Sequence, residues 1–243
     1  MKNSVKVLLL CLFLSQVVLA QKTNGLPGSD TEQRTITGEY HAVEVSSGIK
    51  VNVVPVNSQT VLVTASKSDH RNKIKTIVVN DTLKIFFYYK DDPNWKGLVN
   101  SKETFKVTIS AINLRSVKIS EGALINIPDQ MSVNQLFLHL ASGGEMTGSI
   151  KCDKLTSIIQ DGSYLKLNGE AKEAIFKVSG DSRFDGKKLI ISDCKAEAGG
   201  ASKLYLSVRT KLDATAYNYA KIFYTGNPIL VKKEIKNGLV KRY

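Results

Sequence analysis

Four carboxylates stand beside glycine-containing turns: Glu121, Glu145, Asp161 and Asp181. Carboxylates ranked along a rigid support could cleave a polysaccharide, one as acid and one as base, or could hold calcium. That chemistry needs them at matching positions. Here one precedes its glycine and another follows it. Asp and Glu also suit exposed turns through local hydrogen bonds, which is the simpler reading of all four. The three histidines, His41, His70 and His139, have no metal-ligand spacing to one another or to a cysteine. The sequence shows no nucleophile elbow and no phosphate-binding loop. It therefore nominates no catalytic residue, no metal ligand and no cofactor site. A polysaccharide lyase or hydrolase using turn carboxylates stands as the alternative to a binding role.

Aromatic side chains offer contact rather than catalysis. Tyr205, Tyr217, Tyr219 and Tyr224 gather near the C-terminus. Tyrosines on a rigid β surface can stack on sugars or anchor a protein partner. Tyr217 and Tyr219 flank Asn218 and are expected to project to one side. The plainer reading is that the four pack over the C-terminal end of the core. A second patch, Phe86 to Trp95, reads as a cap hinge or a contact surface.

Lys and Arg number 34 against 22 Asp and Glu, a formal charge of +12. Such an excess favours an acidic glycan, an anionic envelope surface or nucleic acid. The lysines are spread along the chain without a dense run, and no nucleic-acid motif is present, so nucleic acid is set aside. Residues 1–20 have the layout of a signal peptide: Lys2 and Lys6, an apolar run containing Cys11, then a small residue, Ala20. The run is too short to span a bilayer, and no later stretch does better. Export and a periplasmic, outer-membrane-associated or extracellular location follow as expectations. Cys152 and Cys194 read as two small buried thiols rather than a disulfide framework.

The elements that would position these residues are strands. Residues 21–33 read as a flexible leader. From Arg34 onward, alternation dominates: "HAVEVSSGIKVNVVPV", "TVLVTAS", "IKTIVVNDTLKIFFYYK" and "TFKVTIS". Asn80-Asp81 falls between two β-prone runs and predicts a tight hairpin. Residues 91–103 read as a loop, and no amphipathic helix is expected anywhere.

The second half repeats. Gly122, Gly143, Gly162, Gly180, Gly200 and Asn218 follow one another at steps of 21, 19, 18, 20 and 18 residues. Asn is informative, because after Gly it is among the residues that best tolerate a left-handed backbone. Each position predicts a sharp bend between two short strands, once per coil. Stacked coils of this kind form a right-handed, single-stranded parallel β-helix, quasi-one-dimensional and held by neighbouring coils. The hairpin near Asn80 predicts antiparallel strands covering one open end in the N-terminal half. One β-helical domain spans 34–243: strands and hairpin over 34–113, repeated coils over 114–230, and a basic, capping tail over 231–243.

"VSSGIKVNVV", the turns "SGI", "SGG", "DGS", "SGDS" and "GGAS", and the closing "AKIFYTGNP" resemble the "putative auto-transporter adhesin, head GIN domain" family of exported bacterial proteins. The resemblance runs from about Arg34 to Tyr243. It implies a β-helix of modest length and an adhesin-like role. "EGAL" at 121–124 and "YNYA" at 217–220 depart from the usual turn, so irregular first and last coils are expected. The reading as a whole is an exported, non-catalytic binding, adhesin-like or cell-envelope structural protein that presents a rigid basic face. Self-assembly end to end through the caps is a third possibility in which the lysine-rich tail holds copies apart.

Overall fold

The computed structural model describes residues 30–89 and 105–243. The signal peptide, the leader through residue 29 and the 91–103 loop lie outside the described residues. Alternating apolar residues dictate strands, because period two sends every second side chain to one face. Sixteen strands join one sheet that coils on itself as a β-solenoid of about seven turns.

The N-terminal half consists of β1 (Asp30–Arg34), β2 (Ala42–Val45), β3 (Lys50–Val54), β4 (Val61–Ala65), α1 (Ser68–Lys73), β5 (Ile74–Val79), β6 (Thr82–Phe87), β7 (Lys106–Ser110) and β8 (Ser116–Ile119). Five long strands follow: β9 (Leu124–Leu140), β10 (Glu145–Ile159), β11 (Tyr164–Val178), β12 (Arg183–Ala198) and β13 (Lys203–Tyr217). The chain ends in β14 (Lys221–Thr225), β15 (Ile229–Ile235) and β16 (Leu239–Arg242). Each long strand is folded at its middle into a front arm and a back arm. The front arms stack in the order β1, β4, β7, β3, β9 to β14, β16. The back arms stack as β5, β6, β2, β8, β9 to β13, β15. From β3 and β2 onward every pairing is parallel.

The mid-strand corner has a sequence cause. Asp153-Lys154 and Lys172-Glu173 place two exposed residues in succession, so the alternation slips by one and the inward face turns with the chain. At this corner Gly169 sits at φ +106°, and a Cβ there would lie 2.0 Å from the carbonyl oxygen of Ile150. Only glycine lets consecutive coils approach this closely.

The second bend is the one the repeat predicts. Glu121-Gly122, Ser142-Gly143, Asp161-Gly162, Gly180-Asp181 and Asn218-Tyr219 each place two left-handed residues in succession. Amides of one turn donate to carbonyls of the next: Gly122 to Ser142, Gly143 to Asp161, Gly162 to Gly180. The phase differs from the simple repeat. Gly122, Gly143 and Gly162 are second turn residues, whereas Gly180, Gly200 and Asn218 are first. Glycine is thus free to occupy either left-handed site, with Asp, Glu or Ser at the other. The residue after each turn is small and buried. Ser163 Oγ donates to the Gln160 carbonyl at 2.6 Å, and Ser202 Oγ to Gly199 at 2.8 Å, closing the turn from inside.

The inward columns form one continuous core from Tyr40 to Val240. Phe176 of a back arm and Phe184 of the next front arm are fully buried and stack at 4.2 Å between centroids. They tie the two arms across the solenoid. Cys152 and Cys194 are both buried free thiols. Burial pushes the Cys152 thiol up to about 11, with Asp153 adding to it, and burial raises Cys194 further.

The N-terminal end is closed by antiparallel pairs: β1 with β4, β4 with β7, and β5 with β6 across the predicted Asn80-Asp81 turn. Two expectations need correction here. Strand β1 starts at Asp30, inside the stretch read as leader, because Asp30 and Glu32 pair with Arg71 at 2.5 and 3.0 Å. Arg71 lies on α1, a helix not expected from the sequence. Its six residues include none that is buried, so it leaves no apolar period to read.

The 231–243 segment is no separate tail. β15 and β16 continue the two stacks as a last coil. In register, Lys232 and Glu234 take the inward positions held by Ala214 and Ala216 one coil earlier. Glu234 accepts the Val240 amide at 2.6 Å and the Lys232 ammonium at 3.3 Å. Inward-pointing charges of this kind discourage further strand addition at an open edge.

Candidate functional site

The two arms of the same coils carry different charge. Leaving aside the corner residues, the outward positions of the front arms from β10 to β16 bear Lys166, Arg183, Lys187, Lys188, Lys203, Lys221 and Lys241, against Glu145 and Asp185. Those of the back arms bear Lys154, Lys177, Lys195, Lys211 and Lys233, against Glu173, Asp193, Glu197 and Asp213. Seven cations meet two carboxylates in front. Five meet four behind. Of the two arms, the front one carries the larger excess of cations.

Strand register sets the detail. In one outward column Tyr164, Arg183, Lys203 and Lys221 are successive partners. In the next, Asp185, Tyr205, Phe223 and Lys241 follow one another. Tyr205 stacks on Phe223 at 5.3 Å, and Tyr243 meets Tyr205 edge-on at 5.9 Å. Arg183 lies 5.9 Å from the Tyr164 ring and 5.2 Å from the Tyr205 ring. Lys187 sits 4.4 Å over Tyr205 and 6.0 Å from Tyr243. Asp185 is the acidic partner, 3.9 Å from Arg183. Burial, then the nearby Asp185 charge, raises the Tyr164 and Tyr243 hydroxyls above their ordinary value, so both stay neutral donors at neutral pH.

The four tyrosines singled out in the sequence do not form one site. Tyr205 is at the centre of the aromatic column. Tyr224 occupies an inward register and packs against the core. Tyr217 lies along the turn edge, where its ring fills the space a Cβ on Gly199 would need. Tyr219 is itself a left-handed turn residue, 66 % exposed at the tip. The expected common projection of Tyr217 and Tyr219 fails because the turn reverses the chain between them. Phe223, Tyr243, Arg183 and Lys187 were the partners missed. They lie 18 to 38 residues from Tyr205 in sequence, and stepping by one repeat from Tyr205 would have reached Phe223 and Asp185.

The turn carboxylates are spaced out. Glu121 and Asp161 hold the first turn position two coils apart, with Ser142 between them. Asp181 holds a second position and Glu145 starts a front arm. Ser47 donates to Glu121 at 3.2 Å. His41 contacts Asp81 at 2.7 Å, His70 lies on α1, and His139 is on a back arm, so the histidines stay apart. Among the described residues no group of three or more His, Cys, Asp or Glu side chains could hold a metal.

A corner groove of about 440 Å³ is lined among others by Lys151, Asp153, Glu170, Lys172 and Arg209. Its charges largely answer one another, with Lys172 and Asp153 paired at 2.7 Å. On the front arms, by contrast, Lys203 and Lys221 take part in no ion pair among the described residues.

Among the described residues, no helix is long and apolar enough to cross a membrane. No functionally curated protein matches the chain. Solved structures do. A "putative adhesin" of Parabacteroides merdae is 19 % identical, with a TM-score of 0.69 over 90 % of this chain and 98 % of that one. A "putative adhesin" of Bacteroides fragilis is 16 % identical, with a TM-score of 0.72 over 88 % and 97 %. A "putative lipid binding protein" of Parabacteroides distasonis is 16 % identical, with a TM-score of 0.71 over 90 % and 98 %. These likenesses establish the fold, and the names they carry are those of adhesins or binding proteins rather than enzymes. A family model covers residues 39–228, most of the chain. The chain belongs to the "putative auto-transporter adhesin, head GIN domain" family.

Proposed function

We propose that this protein is an exported, non-catalytic binding protein whose front face, over the C-terminal coils, holds an acidic glycan or an acidic envelope surface. The carrying observation is the segregation of charge between the outward positions of the arms, corners aside: seven cations against two carboxylates in front, five against four behind. A strand face in a continuous sheet is rigid, so cations fixed on it bind without a large ordering cost. Several weak contacts in register along the coils add through effective concentration. Adhesin-like family membership supports a binding role of this kind.

The test is titration of the chain, without residues 1–20, against a polyuronate and against neutral dextran, at about 50 and about 500 mM salt. Screening of exposed charges predicts at least tenfold weaker polyuronate binding at the higher salt. Dextran is expected not to bind, and the polyuronate to remain uncut. Shortening of the polymer would contradict the reading and direct attention to Glu145, Asp161 and Asp181.

A further inference from the structure

We infer that the column Arg183–Lys203–Lys221, with the rings of Tyr205, Phe223 and Tyr243 beside it, is a subsite for a linear polyuronate lying along the solenoid axis, with one carboxylate per coil. The inference rests on the binding role proposed above and adds polymer direction, charge spacing and residues.

Register carries the argument. Arg183, Lys203 and Lys221 are direct parallel partners on three consecutive coils, all exposed. Like charges directly opposite one another destabilise a sheet. No ion pair involves Lys203 or Lys221 among the described residues. On the back arms the equivalent column runs Lys154–Glu173–Asp193–Lys211–Ile229, where the one like-charged pair has a lysine on either side. In the front column only Arg183 has an acidic partner, Asp185 at 3.9 Å, and the repulsion left at Lys203 and Lys221 is relieved by a ligand carrying negative charge at the same repeat. Parallel strands stack at about 4.8 Å, close to the length one pyranose unit adds to an extended chain. A polymer charged on every sugar therefore offers one carboxylate to each coil.

The aromatic column fixes why the ligand is a sugar chain. Tyr164 and Tyr205 hold Arg183 between their rings, and Tyr205 holds Lys187. Cations pinned this way lose less side-chain freedom on binding. Tyr205 and Phe223 stack on one another, and Tyr243 stands perpendicular to both and half exposed, giving an apolar surface one column over on which a pyranose ring can rest its C–H face.

The experiment compares two ligands carrying the same six carboxylates: a mannuronate hexamer, charged on every sugar, and a hyaluronan dodecamer, charged on every second one. The hexamer is expected to bind at least tenfold more tightly. Tyr205→Ala is expected to weaken it about fivefold, and Tyr243→Ala, at an exposed site that leaves the core untouched, by two- to threefold. Equal binding of the two oligomers would overturn the spacing and leave the acidic-glycan reading intact. Failure of both to bind would overturn both. Tighter binding to vesicles of phosphatidylglycerol than to either oligomer would replace the sugar by a lipid surface and overturn the subsite.

Discussion

The front and back arms of the C-terminal coils share a backbone, a core and a hydrogen-bond ladder, yet they are decorated differently. On the back arms charges mostly neighbour one of opposite sign, as in Lys154 and Glu173 at 3.8 Å, and where Glu173 faces Asp193 a lysine stands on either side. That is the pattern of a solvated face. On the front arms cations stack on cations, and two of them are held over tyrosine rings. Stability alone gives no reason for the second pattern, since it works against the sheet that carries it. The fold supplies a regular grid of outward positions, and under the proposed function the choice of side chains on that grid separates a wetted surface from a recognising one.

The comparison can be broken at its base. Phe176 and Phe184 join the two faces through the core, so Phe176→Ala should cost about 3–5 kcal/mol and lower the thermal midpoint, with both faces lost together. Loss of front-face binding alone, at unchanged stability, would mean that the faces are not mechanically joined.

A smaller effect separates the last coil from the rest. The Val240 amide hydrogen bond, and then Lys232, hold the Glu234 carboxyl below its ordinary value despite partial burial. A carboxyl lowered in the folded state stabilises above its unfolded value, and that contribution is lost as pH falls through the folded one. The protection of the Val240 amide against hydrogen exchange should therefore fall as pH is lowered through the folded value, and Glu234→Gln should reduce it several-fold at neutral pH. Coils β10 to β12 should not respond to either change.

The smallest effect is a null for chemistry. With their thiols raised by burial, Cys152 and Cys194 should resist an aqueous thiol reagent at pH 8 and react only after denaturation. Rapid labelling of the native protein would show that the corner near Cys152 opens.

Much of this architecture is written in local chemistry. Glycine or asparagine once per coil announces the turns, and alternation announces the strands. The Asn80-Asp81 hairpin and the antiparallel N-terminal end follow from the same rules. The corner was harder to see, because its signal is a doubled polar residue such as Asp153-Lys154, and polar pairs occur for many reasons. The site was legible only at Tyr205. A column is built from residues one repeat apart: the 18- and 20-residue steps already link Tyr205 to Phe223 and Asp185, whereas Lys187 and Tyr243 lie off those steps and join the group only in the folded chain. The even spread of lysines along the chain hid their placement on one face for the same reason.

The most direct test of the account is a matched pair of charge reversals. Lys203→Glu with Lys221→Glu changes the front face, and Lys177→Glu with Lys211→Glu changes the back. All four positions are exposed strand sites. With binding to a polyuronate measured by calorimetry at low salt, the front pair should lose about 50-fold or more in affinity, because repulsive charge is placed where the ligand lies. The back pair should stay within about twofold. Equal losses from the two pairs would show that net charge, and not a face, governs binding, and would contradict the account.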